Sequence, residues 1–480
     1  MATRSLWRHR DFLLLWGGQT VSEMGSAITQ LALPLTAVVL LGASTLQVGL
    51  LTAAATAAFA LIALPAGALV DRHAKRRLMI WCDAARLVII GSVPVAAGLG
   101  VLTLAQLYVV AATAGVCTVF FDVAYQSLLP VLVDKQDLVD GNGKLGATQS
   151  FAQVTGPGIG GGLVGLVGAA GAMTADAISY GVSVVSLLAI RAREPAPQDH
   201  EDHEDHQDHQ DHRDHHRHRP GLRAEIAEGL SFVLRHPILR KIVAATGTAN
   251  LFLTMAIALE IVFLVRVLHV RPAGTGLLVA AGSLGGVAGG VLSGRLARAI
   301  GSARIIWFSL LVLSLPSFLA PLAEPGWRVA AFPVGLAAST FSGVVYNVAQ
   351  VSYRQAICPP RLLGRMNAAV RWVVWGTIPL GGILGGVFGT VLGVRPTLWL
   401  GFAGCWAAGF WVFFSPLRRL RDVPQEGPQA APQEGPQEAP REAPQSATAE
   451  ELEVDGAPGG GLPGQGGGEL PDGTGAPLGH

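Results

Sequence analysis

The sequence carries little charge for its length. Only 14% of its 480 residues are Asp, Glu, Lys or Arg, whereas 50% are hydrophobic. A soluble domain carries about 25% charged residues. Two segments, 192–239 and 416–480, hold 32 of the 67 charged side chains, so the other 367 residues keep only 35. A surface with so few ionised groups does not stay dispersed in water, and the composition therefore excludes a soluble globular protein.

The chain also lacks the sequence patterns of common enzyme and metal-site classes. Its four cysteines form no CxxC pair, so we expect neither a disulfide framework nor a zinc knuckle. There is no phosphate-binding GxxxxGK[ST] loop and no GxSxG elbow in a triad context. We therefore expect no enzyme activity, no cofactor and no nucleic-acid partner.

Long apolar runs take the place of the missing charge. Each run reaches about the 20 residues that cross a bilayer as a helix, and their continuous hydrophobicity excludes the alternating strands of a β-barrel. The runs lie approximately at 12–41, 46–70, 78–99, 103–128, 144–168, 171–191, 240–266, 274–297, 303–322, 327–350, 368–392 and 395–415. The sequence therefore predicts an all-α membrane protein with twelve transmembrane helices.

Basic residues set the expected topology. Arg and Lys occur at the N-terminus and in alternate short loops, at 70–77, 134–144, 295–304 and 354–365, whereas the loops 42–45, 99–102 and 168–171 have none. Because cytoplasmic loops collect Arg and Lys, we expect a multi-pass protein of the cell membrane with both termini in the cytoplasm. We divide the chain into an N-terminal six-helix half (1–191), a cytoplasmic His/Asp-rich linker (192–239), a C-terminal six-helix half (240–415) and a disordered Pro/Gln/Gly-rich tail (416–480).

An internal repeat relates the two halves. Gly67-Ala-Leu-Val-Asp71-Arg72 recurs 223 residues later as Gly290-Val-Leu-Ser-Gly294-Arg295. Pro157 and Pro379, each followed by a Gly-Gly pair, are 222 residues apart. Two landmarks at nearly one spacing predict pseudo-symmetric halves in the same orientation, which is the plan of a secondary transporter with its site between the halves.

The loop after the second run resembles a known signature. It reads Gly67-Ala-Leu-Val-Asp71-Arg72-His-Ala74-Lys75-Arg76-Arg77. This sequence closely resembles the loop between helices two and three of the major facilitator superfamily, with Ala74 in place of a second glycine. The resemblance implies two six-helix halves that rock to give alternating access. It also implies a cytoplasmic gate formed by Gly67, Asp71, Arg72, Lys75 and Arg76.

Three further stretches resemble exporting branches of that superfamily. Gly156-Pro157-Gly-Ile-Gly160-Gly161 in the fifth run is similar to the antiporter motif, with Ala152 in place of its first glycine. The segments 120–130 and 353–369 are similar to the macrolide-efflux and enterobactin-exporter branch of drug:proton antiporters. Generic packing of small residues is the alternative interpretation of the glycine motif. The resemblance covers about residues 1–420 and implies export, although the arginine motif of the fourth helix is absent.

Carboxylates within the apolar runs are candidates for coupling, because burying an ionisable group in a membrane is expensive. They are Glu23, Asp122, Glu260 and Asp176. A carboxylate in an apolar cavity can take up a proton near neutral pH, and protonation would then compete with a cationic substrate. A structural ion pair or an interfacial position is the alternative for each residue.

Other polar and aromatic residues in the runs have less specific roles. Asp83 and Arg86, three residues apart, predict a structural ion pair, and we expect Arg371 to extend to the membrane interface. The expected cavity-lining residues are Gln19, Phe121, Tyr125, Asn250 and Asn347. For the aromatic residues, an interfacial belt is the alternative.

The linker contains eight of the thirteen histidines, within 198–219. Imidazole suits Zn²⁺ or Ni²⁺, so His200, His203, His206 and His209 are possible ligands of a weak site. A disordered chain has no preformed second shell, and expansion of a short repeat gives the same pattern without function. We therefore predict no metal centre.

The sequence as a whole predicts proton-coupled efflux of a small hydrophobic compound, such as an antibiotic or other secondary metabolite. Export of a siderophore or metal chelate is the alternative transport class, and a receptor or scaffold that does not transport is a third possibility. The expected partners are a small-molecule substrate, protons and the lipid bilayer, and we expect a monomer.

Overall fold

The computed structural model describes Leu6 and residues 9–71, 73–133, 137–192, 222–358 and 363–422. Regular structure in this part of the chain is helical. The N-terminal helices are α1 (Arg10–Leu40), α2 (Thr45–Asp71), α3 (Lys75–Gly98), α4 (Leu104–Leu132) and α5 (Leu138–Ala189). They are followed by α6 (Leu222–Arg235), α7 (Leu239–Val267), α8 (Pro272–Ile300), α9 (Arg304–Leu322), α10 (Gly326–Ile357), α11 (Leu363–Val391) and α12 (Val394–Phe413).

Eleven of these helices, all except α6, are long and apolar enough to cross a membrane. Helix α5 is twice the usual length because it contains two helices joined at Gly168, whose φ of 76° and ψ of 167° break the helical path. Counting α5 twice gives twelve crossings, which confirms the predicted all-α fold. Large apolar side chains such as Trp81, Val88 and Leu166 are exposed, as expected for a surface that faces lipid.

Some helices begin earlier than hydrophobicity alone predicts. Helix α5 begins at Leu138, although its apolar run starts near 144, and α11 begins at Leu363 and not near 368. The additional turn of α5 contains polar residues such as Asp140, which forms an i,i+4 ion pair of 2.5 Å with Lys144 at the start of the run. Such turns extend into the aqueous interface, where polar side chains have no desolvation cost. A search for apolar runs therefore does not detect these turns.

The sequence repeat extends to local backbone geometry. Helices α1 and α7 both end in a five-residue π-helical segment, at Thr36–Leu40 and Phe263–Val267. The second residue after each segment has positive φ, Gly42 at 62° and His269 at 54°. Only glycine adopts this conformation without steric cost, so the second half accepts strain at His269 to keep the same helix ending. The two halves are therefore built on one plan.

Helix α6 was not anticipated, because it lies in the segment that we assigned to the linker. Its Val233 packs in one cluster with Met366 and Val370 of α11. The following His236 caps α7, and its Nδ1 accepts from the backbone N–H groups of Ile238 (3.3 Å) and Leu239 (3.2 Å). Burial lowers the pKa of His236, which keeps the ring neutral and able to accept. The four linker histidines named above lie outside the described residues.

The break at Gly168 gives a direct test of the two-helix interpretation of α5. Gly168→Ala is expected to destabilise the protein by about 1 kcal/mol, because a Cβ disfavours positive φ. Gly162→Ala is the matched control. A Cβ built at either glycine meets no described heavy atom within 4 Å, but only Gly168 has positive φ.

The measurement is the thermal midpoint of the purified protein in detergent. Gly168→Ala should lower the midpoint, and Gly162→Ala should leave it unchanged or raise it, because alanine favours helix. Equal midpoints for the two variants would contradict a required break at Gly168.

Candidate transport pathway

The two ends of the bundle differ in how the halves meet. We call the end where α1 begins the basic face, because Lys75, Arg76 and Arg298 lie at helix ends there, and the other end the distal face. At the distal face one apolar cluster joins both halves and includes Leu35 and Val262. The Arg266 guanidinium of α7 also donates to the Ala43 carbonyl at 2.6 Å.

Toward the basic face the buried clusters are separate. One contains only described residues of the N-terminal half, including Phe12 and Leu128. Two others contain only described residues from α6 onward, including Ile306 and Met366. Among the described residues, a Cβ built at Gly67 or Gly290 meets no heavy atom within 4 Å. The described structure is thus sealed at the distal face and has its halves apart toward the basic face.

Two seams of close backbone contact form the distal seal. In the first, between α2 and α11, a Cβ at Gly49 would lie 2.5 Å from the Cα of Gly386. In the second, between α5 and α8, a Cβ at Gly276 would lie 2.6 Å from the Cα of Gly161. Since real Cβ atoms do not approach other atoms this closely, only glycine permits both seams. Gly49 and Gly276 each lie four residues after the first residue of equivalent helices, α2 and α8, so the seams follow the internal repeat.

The glycines of the antiporter-like motif make two different contacts. Gly156 and Gly160 face α1, where added Cβ atoms would meet Ala27 and, at 3.4 Å, the Cα of Ile28. Gly161 faces α8, and the Pro157 carbonyl also lies against Gly276 there. The motif therefore packs α5 against α1 of the same half and against α8 of the other half.

The gate-like loop is described only in part. Helix α2 ends at Asp71, and Arg72 and the side chain of Asp71 lie outside the described residues. Lys75 begins α3. Arg76 donates to the carbonyls of Leu187 (2.8 Å) and Leu188 (3.1 Å). This contact satisfies carbonyls at the C-terminal end of α5, where a cation is favourable, and gives Arg76 a contact within its own half. The gating role of the loop stays a prediction.

Two of the predicted carboxylates lie close together inside the N-terminal half. Glu23 of α1 accepts a hydrogen bond of 2.8 Å from the Gln19 amide. Asp122 of α4 is within electrostatic range of Glu23, and the Tyr125 phenol interacts with both carboxylates. The structure thus brings Gln19, Glu23, Asp122 and Tyr125 into one polar group, contributed by α1 and α4.

Arg86 organises this polar group, although the sequence predicted only a local ion pair for it. It is 4% exposed and pairs with the fully buried Asp83. Its guanidinium lies 4.6 Å from the ring centre of Phe121 and 4.4 Å from that of Tyr180, which are cation–π distances. It also interacts electrostatically with Glu23, Asp122 and Asp176. In the sequence, the only indication of this role for Arg86 was a pair of opposite charges three residues apart in an apolar run.

The other two predicted carboxylates lie apart from Glu23 and Asp122. Asp176 is fully buried in the second part of α5 and accepts from the Ser179 hydroxyl at 3.2 Å, while its Oδ2 has no partner among the described residues. Glu260 lies near the distal end of α7 and is mostly buried, and its Oε1 has no partner in the described part of the chain.

The predicted cavity-lining residues divide into two groups. Gln19, Tyr125 and Asn250 are partly exposed and Asn347 is exposed, as a lining position requires. The prediction for Phe121 was wrong, because its side chain is 2% exposed and packs under Arg86. Its ring also stacks on Tyr125, with centres 6.3 Å apart. Phe121 therefore supports the polar group from inside the half. Within the described residues, no group of three His, Cys, Asp or Glu side chains could hold a metal ion.

A helical membrane bundle with two repeated halves, sealed at one face and enclosing carboxylates, is the construction of a secondary transporter. The sequence model of the Major Facilitator Superfamily matches residues 15–354, and the chain belongs to that superfamily. A comparison with curated protein sequences finds no significant match.

Solved structures of transporters share this fold at low sequence identity. A bacterial homologue of the iron transporter ferroportin, in its inward-facing state, has a TM-score of 0.68 at 16% identity, over 85% of this chain and 99% of that chain. The nucleoside transporter NupG has a TM-score of 0.65 at 10% identity, over 85% and 99%. A bacterial homologue of the human lysosomal transporter Spinster has a TM-score of 0.64 at 16% identity, over 87% and 98%.

The distal seal can be tested at the α5–α8 seam. Gly276→Ala is expected to force the two helices apart, because the added Cβ would overlap Gly161, and to raise the fraction of molecules open at the distal face. The control is Gly290→Ala, in the same helix but with no described atom within 4 Å of the added Cβ.

The readout is a cysteine at Ala53 of α2, which is 7% exposed next to the other seam. In a background with the four native cysteines replaced, a membrane-impermeant maleimide is applied to the distal side. Gly276→Ala should increase labelling at residue 53 at least about fivefold, corresponding to about 1 kcal/mol, and Gly290→Ala should not. Unchanged labelling in Gly276→Ala would show that the seam does not hold the seal.

Proposed function

We propose that this protein is a proton-coupled exporter of small hydrophobic compounds, such as antibiotics or other secondary metabolites. The observation that carries this proposal is the grouping of Glu23, Asp122 and Tyr125 inside the membrane-spanning part of the N-terminal half. Carboxylates are retained in such surroundings for a function, because their burial is costly. The fold shared with other transporters specifies neither the coupling ion nor the substrate, so both are part of the proposal.

The expected orientation gives the described state a place in the transport cycle. If the basic face is cytoplasmic, as the Arg and Lys residues of its loops predict, the seams close the outer side and the pathway is open toward the cytoplasm. A substrate would then enter from the cytoplasm and approach Glu23 and Asp122. We propose that the protein is a monomer in the cell membrane and that the described state is the one that takes up substrate.

Competition for the carboxylates would couple the two flows. A cationic or polar substrate group binds an ionised carboxylate, whereas a proton taken up from outside neutralises it and releases the substrate. The partly exposed Gln19, Tyr125, Asn250 and Asn347 would orient the substrate. The antiporter-like motif supports export, since its Gly161 and the Pro157 carbonyl lie in the α5–α8 seam, which must open for release.

Neutralising the two carboxylates tests the coupling. Glu23→Gln and Asp122→Asn are each expected to reduce proton-driven efflux at least about tenfold, because neither amide can take up the proton. The control is Glu324→Gln, which removes an exposed carboxylate paired with Arg328. The measurement is extrusion of a fluorescent lipophilic cation from vesicles with an imposed pH gradient. Full activity in both cavity variants would show that the proton is carried elsewhere.

Export of a siderophore or metal chelate is a second candidate. It is supported by the similarity of fold to a bacterial homologue of an iron transporter. Deleting 198–219 and measuring tolerance to metals and chelators would separate the two candidates. Loss of metal tolerance with intact efflux of the lipophilic cation would favour the chelate, and an unchanged tolerance would favour the hydrophobic compound.

A further inference from the structure

Arg371 of α11 is an ionised group that the proposed function does not use. It is exposed, and its guanidinium lies 4.6 Å from the ring centre of Trp375. In the described part of the chain it makes no ion pair. An arginine was expected here to extend to the membrane interface, but the side chain is held on an aromatic ring of its own helix.

Arg371 and Asp122 lie at similar depth on opposite halves. Asp122 is ten residues from the end of α4 at Leu132, and Arg371 is eight residues from the start of α11 at Leu363. At about 1.5 Å per residue, these positions are about 15 Å and about 12 Å from the basic face. Arg371 is within electrostatic range of Asp122 across the gap between the halves.

Helix α2 connects the two positions. On one side it contacts α11, where Trp372 Nε1 donates to the Ala60 carbonyl at 3.2 Å and the Phe59 and Trp375 rings are 4.9 Å apart. On its other side α2 packs against α4, where a Cβ at Gly115 would lie 2.5 Å from the Ala55 carbonyl. A rocking movement of the halves that closes the basic face therefore brings α4 and α11 together beside α2.

The charges around Asp122 leave it available for a partner. The charged groups that face it are Glu23 of α1, Arg86 of α3 and Arg371 of α11. Arg86 already pairs with Asp83, and Asp122 makes no ion pair among the described residues. When closure removes water from this gap, an unpaired carboxylate and an unpaired guanidinium would both be costly, whereas a pair satisfies both.

The internal repeat has a carboxylate at this position in the N-terminal half only. Asp122-Val-Ala recurs 225 residues later as Asn347-Val-Ala. The C-terminal half therefore has an amide where the N-terminal half has a carboxylate, and the symmetric position cannot form an equivalent ion pair.

We propose that Asp122 and Arg371 form an ion pair between the halves that holds the basic face closed when the distal face opens. This proposal rests on the proposed function in one respect: proton uptake by Asp122 would break the pair and return the protein to the described state. Arg371 thereby acts as a positioning residue, and Asp122 carries the proton.

The test measures the population of the distal-open state and needs no transported substrate. The readout is again maleimide labelling from the distal side of a cysteine at Ala53, which is buried in the described state. Arg371→Gln should lower this labelling about fivefold, because the pair stabilises only the distal-open state. Arg371→Lys should retain most of it. Asp122→Asn should have the same effect as Arg371→Gln, and the double variant should show no further loss.

Two additional variants make the test specific. The charge exchange Asp122→Arg with Arg371→Asp should restore labelling toward the starting value. Arg266→Gln, which removes the distal contact to the Ala43 carbonyl, should change labelling in the opposite direction, upward. Unchanged labelling in Arg371→Gln, or no restoration in the exchange, would overturn the pair even if one single variant fails to fold.

The outcomes separate this inference from the proposed function. If the labelling pattern holds but the starting protein shows no proton-driven efflux, the ion pair stands and the proposed function fails. If efflux depends on Asp122 and labelling does not depend on Arg371, the ion pair fails and the coupling stands.

Discussion

The close approach of backbones at the two glycine seams is the constraint on which the rest of the structure depends. Within a bilayer, lipid tails are as apolar as leucine, so hydrophobicity does not drive one half against the other. Contact between backbones supplies that attraction, and it is possible only where Gly49, Gly161, Gly276 and Gly386 leave out a side chain. The seal at the distal face and the separation of the halves at the basic face both follow from where these contacts occur.

Electrostatics gives the N-terminal half its specific character. Arg86 is buried among Asp83, Glu23, Asp122 and Asp176, so carboxylates outnumber the one buried arginine of this group. The equivalent position to Asp122 in the other half is an amide, Asn347. Charge in a low-dielectric interior is held only with partners, and the proposed coupling rests on such an excess of carboxylates.

The fold could be predicted from sequence more fully than the site. Twelve spans follow from apolar runs, and the break at Gly168 falls where run five ends, at the first residue of the predicted loop 168–171. The polar first turns of α5 and α11 were missed because hydrophobicity gives no signal at the interface. Helix α6 was missed because its packing on α11 depends on a partner far away in the chain.

The site residues likewise divide into those that the sequence identified and those whose contacts only the packed structure shows. Glu23 and Asp122 stand out in the sequence, since any carboxylate in an apolar run does. Arg86 was assigned a local pair and Arg371 an interfacial role, because spacing along one helix does not say which other helices face it. Phe121 was expected in the cavity, but its position under Arg86 depends on how α3 and α4 pack.

The sequence by itself determined that the chain is an all-α membrane protein, that its halves are repeats and that its loop and glycine motifs resemble those of the superfamily. These properties are local, since composition, period and motif spacing are readable in one stretch of chain. Only the tertiary structure decided which face is sealed, which carboxylates lie together and which cation faces them. Helix contacts in a membrane depend on the shape of facing surfaces, and that shape exists only after the helices have packed.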